Sequence, residues 1–368
     1  MRVLALSIRD FRCYSSAEVA VGEGITVVWG PNGAGKTNLL EALYFGCTGR
    51  SCRTANEREI VRFGATTARV TVGLRTSDGS HELAVGFEPG QPKRMSVDGA
   101  PVERLLDVTE RPLVSVFMPD RLELVKGAPG VRRAHLDQVV AALWPSRTVA
   151  RRAYAHALAQ RNALLARIRR GRASRETLAA WDLHLAGHGI ALMKDRAEAV
   201  AAAAAPFARY AEDLGLTGAP ALEYRPRSKA ASPEALAAEL SERVDGDLER
   251  GFTGHGPHRD DLFLAREGRE LRAYGSQGQQ RLALLALLLA EREVIAGLRP
   301  SPPVMLLDDV MSELDHDRRS ALVEVLRAGR GQAIITTTDV EHVPGAARGD
   351  VALLAVSEGC VLGEAAAA

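Results

Sequence analysis

Lysine is scarce in this chain of 368 residues: it occurs only at Lys36, Lys93, Lys126, Lys194 and Lys229, and arginine carries almost all the remaining basic charge. Acidic and basic residues nearly cancel, for a formal net charge of +1, so attraction to a polyanion must come from local patches and not from a global field. Cysteine is also rare. Cys13, Cys47, Cys52 and Cys360 form no CxxC pair and no closely spaced framework, as expected where thiols stay reduced, which argues for a cytoplasmic protein. Long apolar runs are missing, since the longest core-like stretch, Leu282 to Ala290, falls well short of the roughly 20 residues of a membrane span. The opening MRVLALSIRDFRCY alternates like a strand and has no signal-peptide core. The alanine runs, Ala199 to Ala205 and the C-terminal tail, are compositional bias and carry no chemistry.

What is present is enough to fold. At 46% apolar residues the chain can build two or three cores. Strand and helix signals alternate at the start: MRVLALSIRDF, then ITVVWG, then a helix from Lys36, then ARVTVGLR, followed by short strand-like runs ending in LVSVFM. From about Arg132 to Arg250 the texture becomes helical and rich in Ala, Leu and Arg, interrupted at GLTGAP and RPRSKAASP. Then DLFLAREGRELRAYG reads as a hairpin, followed by the helix after SQGQQR, the strand VMLLDD, a helix at His316 to Ala328 and the strands QAIITTT and VALLAV. The expected organisation is one α/β domain from both chain ends, 1–135 and 250–368, with a helical lobe inserted at 136–249.

Gly30, Pro31, Asn32, Gly33, Ala34, Gly35, Lys36 and Thr37 form GPNGAGKT between a strand and a helix, the setting of a phosphate loop. Its glycines let backbone N–H groups turn toward a β-phosphate, Lys36 bridges β and γ, and Thr37 places a hydroxyl on Mg²⁺. The strand PVMLL ends in paired carboxylates, with Asp308 suited to hold the metal and Asp309 to polarise an attacking water. Taken alone such a strand end is equally a cap for the next helix; the loop lysine shifts the reading to Mg²⁺. A third motif, Ser276, Gln277, Gly278 and Gln279, opens the apolar helix with orphan N–H groups and the positive end of a dipole, an anion site for a γ-phosphate.

These motifs, with FRCY at 11–14, GRSCRT at 49–54, LVKGAPGVRRAHLD at 124–137, QRNALL at 160–165, GPHRDDL at 256–262 and LLDDVMSELD at 306–315, resemble the RecF family. The resemblance implies an ABC-type P-loop ATPase head, a mixed sheet with an antiparallel β subdomain, carrying an inserted helical lobe. It implies a homodimer closed around two ATP, with the Ser276 helix of one copy covering the nucleotide of the other and Asp315 at the seam. It further implies slow, DNA-stimulated ATP hydrolysis and action with RecR and RecO in loading RecA on gapped DNA, at single-strand/double-strand junctions or on duplex. Arg12 would reach phosphate oxygens. Cys13 replaces the family's usual asparagine, Asp309 stands where wider ABC enzymes have glutamate, and Thr338 where they have a switch histidine. The last two departures point to slow turnover, with ATP acting mainly to hold the dimer.

For DNA, the helical block from Arg147 to Arg175 contains no acidic residue and offers Arg151, Arg152, Arg161, Arg167, Arg169, Arg170 and Arg172. Two readings stand, phosphate contact with a strong salt dependence or an arginine-rich solvated face. Tyr154 is its only aromatic residue, so duplex backbone contact fits better than base stacking; Arg132 and Arg133 are the other candidate patch. His184 and His188 lack a third metal ligand at sensible spacing. His255 and His258, beside Asp260 and Asp261, suggest hydrogen bonding between lobes. Trp29, Trp144 and Trp181 are expected in cores. A transporter ATPase subunit has no use for the helical insert, and a long-armed chromosome-maintenance protein is disfavoured by Pro206, Pro220, Pro226 and Pro233. A nucleotide-gated scaffold without hydrolysis remains a third reading.

Overall fold

The computed structural model describes residues 1–108, 111–118 and 122–362, and the C-terminal alanine run lies outside them. Two compact units form: Met1–Arg121 with Asp213–Gly215 and Ile295–Ala368, and Leu122–Glu212 with Leu216–Val294. These limits differ from the division expected from sequence texture, because residues 122–135 and 250–294 pack with the helical segment.

The first unit carries two six-stranded sheets. In one, Val114–Phe117, Val304–Leu307, Ala333–Thr337, Ile25–Trp29 and Val351–Ser357 lie side by side and parallel, and Cys360–Leu362 closes the edge as an antiparallel hairpin. These strands are mostly apolar because both faces are covered: all residues of Val304–Leu307 and Ala333–Thr337 are buried. The other sheet is antiparallel, in the order Tyr14–Ala20, Arg2–Phe11, Ala68–Arg75, Ser80–Phe87, Arg94–Val97 and Ala100–Val102. It alternates, with Val70, Val72 and Leu74 inward and Arg69, Thr71 and Arg75 outward.

The helix Lys36–Thr48 packs against the antiparallel sheet through Leu39, Leu40, Leu43 and Phe45, none more than 3% exposed. Burial of each such side chain contributes about 1.5–3 kcal/mol. The approach is close because Gly46 faces the strand: a Cβ there would stand 2.5 Å from Val72 Cγ2. This packing aims the helix start, and with it the glycine loop, at the carboxyl ends of the parallel strands.

In the second unit, helices Pro129–Leu143, Thr148–Arg169, Leu178–Asp213, Pro233–Glu242, Val244–Arg250 and Gln277–Leu298 accompany a small antiparallel sheet. Asp261–Arg266 is its centre, between Pro220–Arg225 and Arg269–Glu270. Pro220–Arg225 fills the space between the two interruptions that texture alone reads as loops. Pro206, expected as a break, lies inside the helix Leu178–Asp213. The helix survives the lost N–H because its alanine-rich flanks have the highest helix propensity and its buried face continues through Ala199, Ala203, Phe207 and Ala211.

Among the buried arginines of this unit, Arg161, Arg132 and Arg196 are each closed by a carboxylate. Arg161, fully buried, donates to Asp182 Oδ1 at 2.6 Å, Asp247 Oδ2 at 2.7 Å and Thr253 Oγ1 at 2.8 Å. Arg132 forks onto Asp261 at 2.7 and 2.8 Å. Arg196 donates to Asp137 Oδ1 and to the Pro257 carbonyl, both at 2.8 Å. The stretches QRNALL, GVRRAHLD and GPHRDDL are therefore halves of internal ion pairs. Freeing Arg161 for DNA would leave the buried Asp182 and Asp247 unpaired, and the buried Arg132 is itself held by the bidentate bond to the half-buried Asp261, so neither side chain is available as a DNA contact.

Candidate phosphate-binding site

The site lies at the carboxyl edge of the parallel sheet, where three neighbouring strands end. The strand Ala333–Thr337 separates Ile25–Trp29, which leads into the loop, from Val304–Leu307, which ends at Asp308. Parallel pairing puts all three C-terminal ends on one edge, the usual place for ligands in such sheets. Trp29, expected in a core, ends its strand 37% exposed on that edge.

The loop residues Gly30 to Thr37 turn sharply between strand and helix, with Gly30, Gly33 and Gly35 at positive φ. Gly35 has φ +116°, and a Cβ there would meet Cys13 Sγ at 2.8 Å and Tyr14 Oη at 3.0 Å. Gly30 has φ +152°, and a Cβ would stand 2.1 Å from the Val356 carbonyl oxygen. Neither position admits a side chain. The outside of the loop is braced by the Tyr14 hydroxyl, which donates to the Gly35 carbonyl at 3.0 Å, and by Gly359 N–H, which donates to Ala34 O at 2.9 Å. Burial pushes the Tyr14 hydroxyl well above its ordinary value, so it stays a neutral donor. Asn38 donates to Cys13 Sγ at 3.1 Å, so the cysteine takes part in the same brace.

Lys36 folds back on its own loop, donating to Gly30 O at 2.7 Å and Pro31 O at 2.9 Å. Burial lowers its pKa, opposed by the charges of Asp309 and Asp308. Thr37 donates to Asp308, 2.9 Å from Oδ1 and 3.0 Å from Oδ2. Asp308 is 6% exposed, and its carboxyl is pushed above its ordinary value by burial, against hydrogen bonds from Thr336 and Thr37. A threonine hydroxyl beside a desolvated carboxylate is a hard oxygen set, which fits Mg²⁺. Asp309 has φ +47° and accepts from Ser312 Oγ at 2.9 Å.

Residues not singled out from the sequence complete the site. Thr336 Oγ1 donates to Asp308 Oδ1 at 2.7 Å and accepts Asp309 N–H at 2.9 Å, so one buried hydroxyl ties both carboxylate residues together. Its signal lay in the polar ITTT ending of an otherwise apolar strand. Glu41, fully buried on the loop helix, is the other. It accepts from Arg12 Nε at 2.9 Å and Nη2 at 2.8 Å, from Ser51 Oγ at 2.6 Å and from Arg53 Nη1 at 3.2 Å. Arg12 also donates to the Glu59 carbonyl, so the guanidinium expected to reach phosphate is here closed on protein groups. Arg53, the more exposed of the two, is the arginine whose charge reaches Asp308.

In the second unit, Ser276 and Gln279 form a reciprocal cap: Gln279 N–H donates to Ser276 Oγ at 3.2 Å, and Ser276 N–H to Gln279 Oε1 at 2.8 Å. Part of the orphan donor set expected there is thus satisfied within the chain. Ser276, Gln277 and Gly278 remain exposed. Asp315 likewise caps His316–Ala328, accepting Arg318 N–H at 3.0 Å.

On the arginine-rich helix and the turn that ends it, Arg151, Arg152, Arg167, Arg169, Arg170 and Arg172 are exposed, and Arg151 lies 3.8 Å from Asp137. Acidic residues from elsewhere in the unit therefore reach this block. His184 and His188 meet edge-on, ring centres 4.8 Å apart, on one face of their helix. No group of three or more potential metal-binding side chains occurs among the described residues. His258 accepts from the Tyr154 hydroxyl at 2.7 Å and donates to Thr253 O at 2.8 Å, while His255 pairs with Glu239.

The family model for the RecF/RecN/SMC N-terminal domain matches residues 2–359. DNA replication and repair protein RecF of Anaeromyxobacter sp. strain Fw109-5 is 39% identical over 98% of this chain and 99% of its own. The same protein of Myxococcus xanthus is 40% identical over 98% and 97%. The chain belongs to the RecF family. Among solved structures, the recombination mediator RecF with ATP, of the RecFOR pathway, superposes with a TM-score of 0.86 at 27% identity, covering 99% of this chain and 98% of that one. A chromosome-maintenance Smc head bound to the C-terminal winged helix of ScpA shares the fold, with a TM-score of 0.62 at 15% identity. The ABC-type head with its antiparallel sheet is thus the architecture of this chain. No described helix is long and apolar enough to cross a membrane.

Proposed function

We propose that this chain is a cytoplasmic, ATP-dependent DNA-binding protein of recombinational repair and replication. It closes as a homodimer around two ATP on gapped or duplex DNA, promotes RecA loading with RecO and RecR, and hydrolyses ATP slowly with stimulation by DNA. The observation that carries the nucleotide reading is the meeting of the glycine loop with the strand end: Thr37 Oγ1 stands 2.9 Å from Asp308 Oδ1. The ATP-bound relative supports it.

In this reading the N–H groups of Gly30 to Thr37 receive the phosphates, and Lys36 leaves its loop carbonyls to meet β- and γ-oxygens. Thr37 and Asp308 would hold Mg²⁺, which supplies charge neutralisation when bound. Asp309 orients and deprotonates water, and its short side chain, already committed to Ser312, favours slow turnover. Ser276, Gln277 and Gly278, exposed at a capped helix start, offer with the half-buried Gln279 hydroxyl and amide donors to the nucleotide of a second copy. Exposed Arg151, Arg152, Arg167, Arg169, Arg170 and Arg172 form one candidate DNA surface.

The test is sedimentation of the Asp309→Asn variant with and without ATP, repeated with a short gapped duplex. ATP-induced dimers that persist on DNA are expected. A chain that stays single at saturating ATP overturns the dimer reading, and one that binds no DNA overturns the repair reading.

A further inference from the structure

The outer face of the antiparallel sheet carries a row of arginines that the fold itself does not use. Arg9 on Arg2–Phe11 lies directly opposite Arg69 on Ala68–Arg75, Arg69 opposite Gly86, and Gly86 opposite Arg94. All three arginines are exposed, on the face opposite the buried Ile8, Val70 and Val85. Among the described residues none has a side-chain hydrogen bond or ion pair. Directly opposed like charges, with Cβ atoms about 5 Å apart, destabilise a sheet. An intervening glycine sets Arg94 about 10 Å beyond Arg69, two strand spacings away. In the next row inward, Ser7 and Thr71 are short, and Glu18, opposite Ser7, accepts from Ser7 Oγ at 2.6 Å.

Phe63 stands beside the same end of the sheet. It is 100% exposed, yet its turn is clamped: Arg62 N–H donates to Asp10 O at 2.9 Å, Arg62 Nε to Asp10 Oδ1 at 2.7 Å, and Val61 bridges to Phe11. A rigidly presented, wholly solvated phenyl ring next to unneutralised arginines suits one ligand chemistry, a phosphodiester strand with an accessible base.

We propose that this strip is a DNA contact surface, in which Arg9, Arg69 and Arg94 take consecutive backbone phosphates and Phe63 stacks on an unpaired base at a duplex end. The assignment rests on the DNA-binding reading above, but places the contact on the sheet face and not on the arginine-rich helix.

The experiment measures DNA affinity of the full chain against salt concentration. For Arg9→Ala/Arg69→Ala/Arg94→Ala, the negative slope of log K against log salt should become shallower by about 2 to 3, since each lost phosphate contact removes about 0.9 on duplex. Its unfolding midpoint should not drop, because opposed charges are removed. Phe63→Ala should weaken gapped DNA several-fold and leave blunt duplex and the slope unchanged. A triple variant with unaltered affinity and slope overturns the strip, as does the same slope loss appearing only in Arg167→Ala/Arg169→Ala/Arg170→Ala. Equal affinity of Phe63→Ala for gapped DNA overturns the stacking role. Should the unaltered chain bind no DNA, the parent reading fails, which the other outcomes leave standing.

Discussion

The Thr336 hydroxyl donates to Asp308 Oδ1 at 2.7 Å, and the same oxygen receives the Asp309 amide at 2.9 Å. A single group thus fixes the buried carboxylate and supports a backbone held at φ +47°, a conformation that costs a non-glycine residue of order 1 kcal/mol. Thr336→Val keeps the shape and removes the bond. We expect the Mg²⁺ concentration for half-maximal ATP binding to rise about tenfold, the worth of a hydrogen bond to a charged group, with Thr336→Ser restoring it. Titration of fluorescent ATP binding with Mg²⁺ reads this without turnover, and equal Mg²⁺ dependence in all three proteins would refute it.

Asp308 makes the opposite case, a residue that costs stability. Burial raises its folded pKa above the ordinary value, so between those two values the folded chain holds a proton that the unfolded chain releases. Stability of the nucleotide-free chain therefore falls as pH rises through that window, and the deficit persists at neutral pH. Asp308→Asn should raise the nucleotide-free melting temperature. It should also abolish the extra stabilisation that Mg²⁺ adds to ATP. Thermal melts at pH 7 check both.

The phosphate loop and the acidic strand end were legible because each is local: glycine spacing, one lysine in a lysine-poor chain, and an apolar run ending in carboxylates. Glu41, Thr336 and Arg53 were not, since each acquires its role from a partner remote in sequence. Thr336 meets Asp308 only because the strand bearing it inserts between two others. Within the arginine-rich stretch, Arg161 misled for the same reason. Periodicity cannot show that Asp182 and Asp247 arrive to close over Arg161, whereas a neighbour such as Arg167 stays exposed. Nor can it show a strand at Pro220–Arg225, which forms only where Asp261–Arg266 supplies its ladder.

Arg161 separates structure from DNA contact. Arg161→Ala leaves Asp182 and Asp247 buried without their cation, and such breaks cost about 3–5 kcal/mol. A drop of several degrees or more in melting temperature is expected, with no change in the salt slope of DNA binding measured well below that temperature. A lowered slope without destabilisation would return Arg161 to the DNA surface.

Acid sensitivity should trace to His258, which burial pushes down to about 4 from an ordinary 6.5. In the unfolded chain the imidazole protonates first, so the unfolded state binds more protons between pH 6.5 and about 4. Stability is lost as pH falls through that range, at up to about 1.4 kcal/mol per pH unit. His258→Gln should flatten the dependence. Denaturant midpoints at pH 7 and pH 5 decide it, and an equal drop in both proteins would place the acid lability elsewhere.

Ser276 has two candidate duties, capping its own helix and meeting a phosphate on a second copy, and one pair of substitutions tells them apart. Aspartate is as good an N-cap as serine, so Ser276→Asp preserves the bond from Gln279 N–H and leaves the melting temperature within about a degree. It nevertheless places a negative charge where the proposed dimer seats a γ-phosphate, and ATP-induced pairing should weaken at least tenfold. Ser276→Ala loses the cap, at about 1 kcal/mol of stability, but adds no charge, so pairing should survive in reduced form. If sedimentation shows Ser276→Asp pairing as well as the unaltered chain, the residue is a cap alone, and the exposed amide groups of Gln277 and Gly278 have no nucleotide to meet.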